Sequence, residues 1–160
     1  MHLRNFTVFA LWLLLAADGM AAETSQRTAV SVRQYVLDSF VGPYKAAADG
    51  CVKKYPTMSK DYGEAIASLT KRAPETLDVL LKTEQFRSLT NSEAPRDLVE
   101  MSSFNADMQR QTFGSMSTER CTQALSELRD MTGEKIQGAL HALLFYTKPV
   151  VDMLKSATTR

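Results

Sequence analysis

Apolar positions recur with helical spacing along most of the chain. Val32, Val36 and Phe40 step by four. Tyr44, Ala47, Ala48, Cys51, Val52 and Tyr55 then fall at i, i+3, i+4, i+7, i+8 and i+11, the stripe that a helix of 3.6 residues per turn buries on one side. Gly42-Pro43 separates the two runs and predicts a break between them. Lys53 and Lys54 stand where cations complement a helix C-terminus, and Pro56 predicts its end. Ser59 is expected to cap a helix carrying Tyr62, Ile66 and Leu69. Ala73-Pro74-Glu75 predicts a restart or kink, because proline suits the first turn of a new helix. Leu77, Leu80 and Leu81 form the next apolar face, with Phe86 and Leu89 near its end.

Thr90 to Arg96, with Asn91, Ser92 and Pro95, reads as a loop. Leu98, Met101, Phe104 and Met108 predict a further core-facing stripe, punctuated afterwards by Gly114-Ser115 and Ser117. Cys121, Leu125 and Leu128 mark another helix, which Gly133 is expected to cap. Ile136, Leu140, Leu143, Leu144, Val151 and Leu154 line the last, which Pro149 is expected to bend. Alternation of period two with β-branched enrichment does not occur, nor does an internal repeat or low-complexity tract. The expected fold is all-α: a compact multi-helix bundle of seven helical stretches, some of them kinked, held by one disulfide.

The start of the chain breaks this pattern. Arg4 precedes an apolar run from Phe6 to Ala17, then Asp18-Gly19 and the small residues Ala21 and Ala22. This three-part order predicts a cleaved secretory signal peptide over residues 1–22 and a single helical domain over residues 23–160. The run is shorter than the roughly 20 apolar residues that span a bilayer, and no later stretch is apolar for longer. The product is expected in the periplasm or outside the cell, with no transmembrane anchor after cleavage. Arg4 and Asp18 leave together, so the formal charge stays at the +1 of the whole chain. That charge is too small to gather phosphates, which argues against a nucleic-acid partner.

An exported chain meets an oxidising compartment, and Cys51 and Cys121 are its 2 cysteines. Each lies on the apolar stripe of its own helix, so a structural disulfide between them is expected. No Cys-X-X-Cys supports a thioredoxin-like role.

Little catalytic or metal-binding chemistry is supplied. Zinc sites draw three or four Cys, His or carboxylate ligands, whereas one histidine, His141, remains after the leader. Neither a calcium loop nor a c-type haem motif occurs. A non-covalent haem would have to pair His141 with Met58, Met101, Met108 or Met116, although scattered methionines in a bundle are normally gap-fillers. No metal and no cofactor is expected. His141 reads as a boundary histidine, the alternative being a general base or ligand. Ser68-Leu69-Thr70-Lys71 matches the Ser-X-X-Lys of penicillin-binding enzymes at two positions. The companion Lys-Thr-Gly fails at Lys82-Thr83-Glu84. The carboxylate pairs Asp61/Glu64, Glu75/Asp78 and Asp97/Glu100 each share a helix face, near predicted helix starts where acids complement the dipole.

These exclusions lead to an expectation of action by binding, as an inhibitor or immunity-type partner of an envelope or extracellular protein. Tyr35, Tyr44, Tyr55, Tyr62 and Tyr146 are candidate interface anchors. The alternatives are a carrier of an apolar ligand or lipid, and a small enzyme with an unrecognised acid/base pair. A solid core with an exposed apolar patch or a projecting acidic loop marks the inhibitor. A continuous internal cavity marks the carrier, and His141 beside a carboxylate in a cleft marks the enzyme.

Overall fold

The computed structural model describes residues 29–158. The signal peptide expected over residues 1–22 lies outside them. Among the described residues the chain folds into five α-helices: α1 (Val32–Lys54), α2 (Ser59–Leu81), α3 (Arg96–Ser115), α4 (Thr118–Arg129) and α5 (Gly133–Thr158). Single 3-10 turns at Pro56–Met58 and Arg87–Leu89 stand before α2 and between α2 and α3. No named strand occurs among the described residues; Ser31 and Glu93 form one isolated antiparallel bridge.

Helix α1 is the axis of the bundle and touches each of the other four helices. Its apolar stripe is buried as the spacing predicts: Val32, Val36, Phe40, Ala47, Ala48 and Cys51 are all core residues. Tyr62, Leu69, Ala73, Leu77, Leu80 and Leu81 of α2 pack on it, with Cys121, Leu125 and Leu128 of α4 and Ile136, Leu140, Leu144 and Val151 of α5. Each large aliphatic side chain so buried contributes about 1.5–3 kcal/mol relative to exposure. Cys51 and Cys121 are bonded, with Cα atoms 5.8 Å apart and both residues fully buried.

Two predicted breaks are absent. Val32–Lys54 is one helix through Pro43, and Ser59–Leu81 is one helix through Pro74. An internal proline costs about 3 kcal/mol through its missing N–H and its ring. Here apolar burial on both sides of each ring offsets that cost: Phe40 and Val41 with Ala46 and Ala47 around Pro43, and Leu69 and Ala73 with Leu77 around Pro74. Gly42 and Ala73, which precede the rings, are the smallest residues available where a bulky Cβ meets the proline Cδ.

Two expected caps also lie elsewhere. Ser59 is the first residue of α2 rather than its cap, because the 3-10 turn leads directly into the helix. Gly133 opens α5 instead of closing α4. The amide of Asp130 closes α4 on Ser126 and Leu128, and the hydroxyl of Thr132 accepts from the Lys135 amide (3.3 Å) at the start of α5. With φ negative at every described glycine, Gly133 has no left-handed cap to make.

Candidate functional site

Helix α3 determines the character of the surface. Its close contacts are with α1, and none of its residues is buried. The predicted core stripe of Met101, Phe104 and Met108 is therefore overturned: Phe104 is 64% exposed, and both methionines are about half exposed. Leu98 alone of that stripe packs partly on the core.

The reason lies on the opposite face. At 100° per residue, Ser102, Ala106, Arg110 and Gly114 form one row of α3, and Gly42, Ala46 and Gly50 form a matching row of α1. At Gly50 the two backbones approach closely. A Cβ built on Gly50 would lie 2.7 Å from the Arg110 carbonyl oxygen and 2.8 Å from the Gly114 nitrogen. Ser39 donates across the same contact to Ser102 (2.9 Å). Docking by its small face turns the apolar stripe of α3 to solvent.

Both ends of α3 are tied to α1. At its start, the Val32 amide donates to Ser92 (2.8 Å) and the Ala94 amide to Val30 (2.7 Å). At its end, Lys54 Nζ donates to the carbonyls of Ser115 (3.3 Å) and Met116 (2.8 Å), and the Tyr55 hydroxyl donates to Met116 (3.1 Å). The stripe is thus presented on a fixed helix.

Helix α5 runs antiparallel to α3, with which it shares two hollows. Gln109 and Phe113, late in α3, share a cleft with Ala139 and Leu143, early in α5. Val99, early in α3, shares a hollow with Val151 and Leu154, late in α5. Tyr146, Met153 and Leu154 on α5 are also exposed, against the expectation for Leu154. Leu154 lies at the open edge of the hollow it shares with Val99, about half exposed.

The cleft, of about 320 Å³, lies among α1, α2, α3, α4 and α5. Phe40, Tyr44 and Phe113 supply rings, Leu128 and Leu143 supply apolar wall, and Glu127 and Gln109 are polar. Phe40 and Tyr44 meet edge to face, their centroids 5.8 Å apart. Burial, and then the nearby Glu127 carboxylate, raise the Tyr44 pKa above the usual phenol value, so its hydroxyl keeps its proton at neutral pH.

The sequence-derived candidates occupy very different places. Tyr35 and Tyr62 are buried, and the Tyr62 hydroxyl donates to the Cys121 carbonyl (2.7 Å), linking α2 to the disulfide. Burial raises the Tyr62 pKa. Tyr55 is half-buried at the C-terminus of α1, against the end of α3, Tyr44 opens on the cleft, and Tyr146 is 74% exposed with its ring against Phe145. His141 is half-buried, edge-on to Phe86 at 5.1 Å. Among the described residues no carboxylate forms an ion pair with it.

The carboxylate pairs divide between structural partners. Asp78 accepts two hydrogen bonds from Arg33 (2.7 and 3.0 Å), joining α2 to α1, and Asp61 pairs with Arg129 of α4 (2.8 Å). Ser68 and Lys71 are exposed on α2. Among the described residues no group of three His, Cys, Asp or Glu side chains is placed to hold a metal ion, and no helix is long and apolar enough to cross a membrane.

Sequence reasoning missed the α3 face because it looked for apolar stripes. The available signal was the four-residue repetition of small side chains on α1, Gly42/Ala46/Gly50, which leaves room for a helix backbone at Gly50. The chain matches no protein-family model, no curated protein and no solved structure.

Proposed function

We propose that this is an exported domain that acts by binding another protein of the envelope or extracellular space, as an inhibitor or immunity-type partner. One observation carries the reading: Met101, Phe104 and Met108 form an exposed apolar stripe on a helix whose ends are fastened to the core. Apolar side chains held in water on a fixed scaffold favour a partner that removes them from water. The disulfide and the leader pattern of residues 1–22 support export.

The test compares the wild-type protein with Phe104→Glu. Burying an aromatic ring at an interface is worth about 1.5–3 kcal/mol, so a partner captured by the wild type and purified should bind the variant roughly ten- to a hundred-fold more weakly. The two proteins should melt within a degree or two of each other, because the side chain supports nothing in the fold. Equal affinity for the purified partner would remove the stripe from the interface. The export half is tested separately by the N-terminus of the purified product, expected at Ala22 or Glu23.

A further inference from the structure

The cleft among the helices has a chemistry distinct from the α3 stripe. Its wall is mainly aromatic and aliphatic, with Ser39 and Gln109 as neutral polar side chains, and the one charged side chain lining it is Glu127. Glu127 accepts from the Gln123 amide nitrogen (3.0 Å), which orients the carboxylate without neutralising it, and no salt bridge pairs it with a cation among the described residues. Beside it stand the Tyr44 ring, in contact with Phe40, and the Phe113 ring on the facing helix. The π-faces of such rings attract a cation, and a carboxylate completes the match. The volume of about 320 Å³ lies at the small end of the range for ligand sites, about 300–1,000 Å³. That suits a group the size of one side chain and is too little for a lipid.

We propose that this cleft receives a single organic cation on an apolar stem, an alkyl guanidinium or ammonium. The stem lies against Leu128 and Leu143, the charge meets Glu127, and the rings of Tyr44 and Phe113 flank it. Two sources share this chemistry: an arginine or lysine side chain projecting from a protein partner, and a free amphiphilic amine or guanidine. The inference does not rest on docking at the α3 stripe, since Phe104 does not line the cleft.

The experiment is an NMR titration of the disulfide-intact protein with n-butylguanidinium, and with n-butylurea as its neutral isostere. The expected result is saturable movement of the Tyr44, Phe113 and Leu143 signals by butylguanidinium, with butylurea binding about ten-fold more weakly. Glu127→Gln, a substitution at an exposed side chain, should abolish that discrimination. Acetyl-Gly-Arg-Gly-amide and its citrulline counterpart separate the sources. Tighter binding of the arginine peptide than of butylguanidinium assigns the site to a partner's side chain, and no gain assigns it to a free cation. Silence of the cleft signals at millimolar cation, or equal binding of butylguanidinium and butylurea, overturns the proposal. Phe104→Glu should leave the cation response intact, so failure here and failure of the stripe as an interface are separate results.

Discussion

Replacing Gly50 by alanine tests the α1–α3 contact, on which the exposed stripe depends. In an ordinary helix interior this change stabilises by about 1 kcal/mol, because alanine loses less backbone entropy and has the higher helix propensity. At Gly50 the new Cβ would sit 2.7 Å from the Arg110 oxygen, 2.8 Å from the Gly114 nitrogen and 3.0 Å from the Phe113 Cβ. Two of those atoms are backbone and cannot rotate aside, so α3 as a whole must move outward. Overpacking of this kind costs about 1–3 kcal/mol. Set against the propensity gain, the expected net change is a loss of up to about 2 kcal/mol.

Gly63 and Gly138 are internal references, each helical with nothing within 4 Å of an added Cβ. There alanine should stabilise by roughly 0.5–1 kcal/mol. The measurement is chemical denaturation of the three single variants beside the parent, with hydrogen exchange followed along α3. Gly50→Ala should be the only destabilised variant, and its extra exchange should concentrate in Arg96–Ser115. If Gly50→Ala matches or exceeds the stability of Gly63→Ala, the helices do not approach as described, and the reason given for exposing Met101, Phe104 and Met108 is lost.

Other expectations follow from single contacts. Alkylation without reductant should label neither Cys51 nor Cys121. Opening their bond, which spans a sequence separation of 70, should cost about 4 kcal/mol on the chain-entropy account, measured by denaturation of reduced against oxidised protein. Tyr62→Phe removes the donor to the buried Cys121 carbonyl and should lower stability by about 1 kcal/mol. The hydrogen bonds from Arg33 hold the Asp78 carboxyl below its ordinary pKa. The pair therefore stabilises the fold at neutral pH, and that contribution disappears as the pH falls through the depressed value. Both side chains are well exposed, so the gain is at most about 1 kcal/mol after solvent screening. Asp78→Asn should show the loss at pH 7 and none in acid.

Much of the fold was legible because a buried helix face writes itself as apolar residues three and four apart. The disulfide was legible for the same reason: each cysteine was in phase with such a face. Pro43 and Pro74 misled because local chemistry counts the lost hydrogen bond and not the burial that surrounds it. Of the tyrosines, Tyr62 and Tyr146 are the same residue type on amphipathic helices, yet one is sealed beside the disulfide and the other is in solvent.

The order of residues alone determined the helical class, the apolar stripes of α1, α2, α4 and most of α5, and the bridge between Cys51 and Cys121. Those features depend on local periodicity, which a single helix carries by itself. Which face of α3 meets α1, and hence the exposure of Phe104, was decided only in three dimensions. So was the meeting of Glu127 with Tyr44 and Phe113 from three different helices. A stripe records that a face is apolar, but whether it is covered depends on where the neighbouring backbone can approach. Here Gly50, where an added Cβ would run into the α3 backbone, settles that approach.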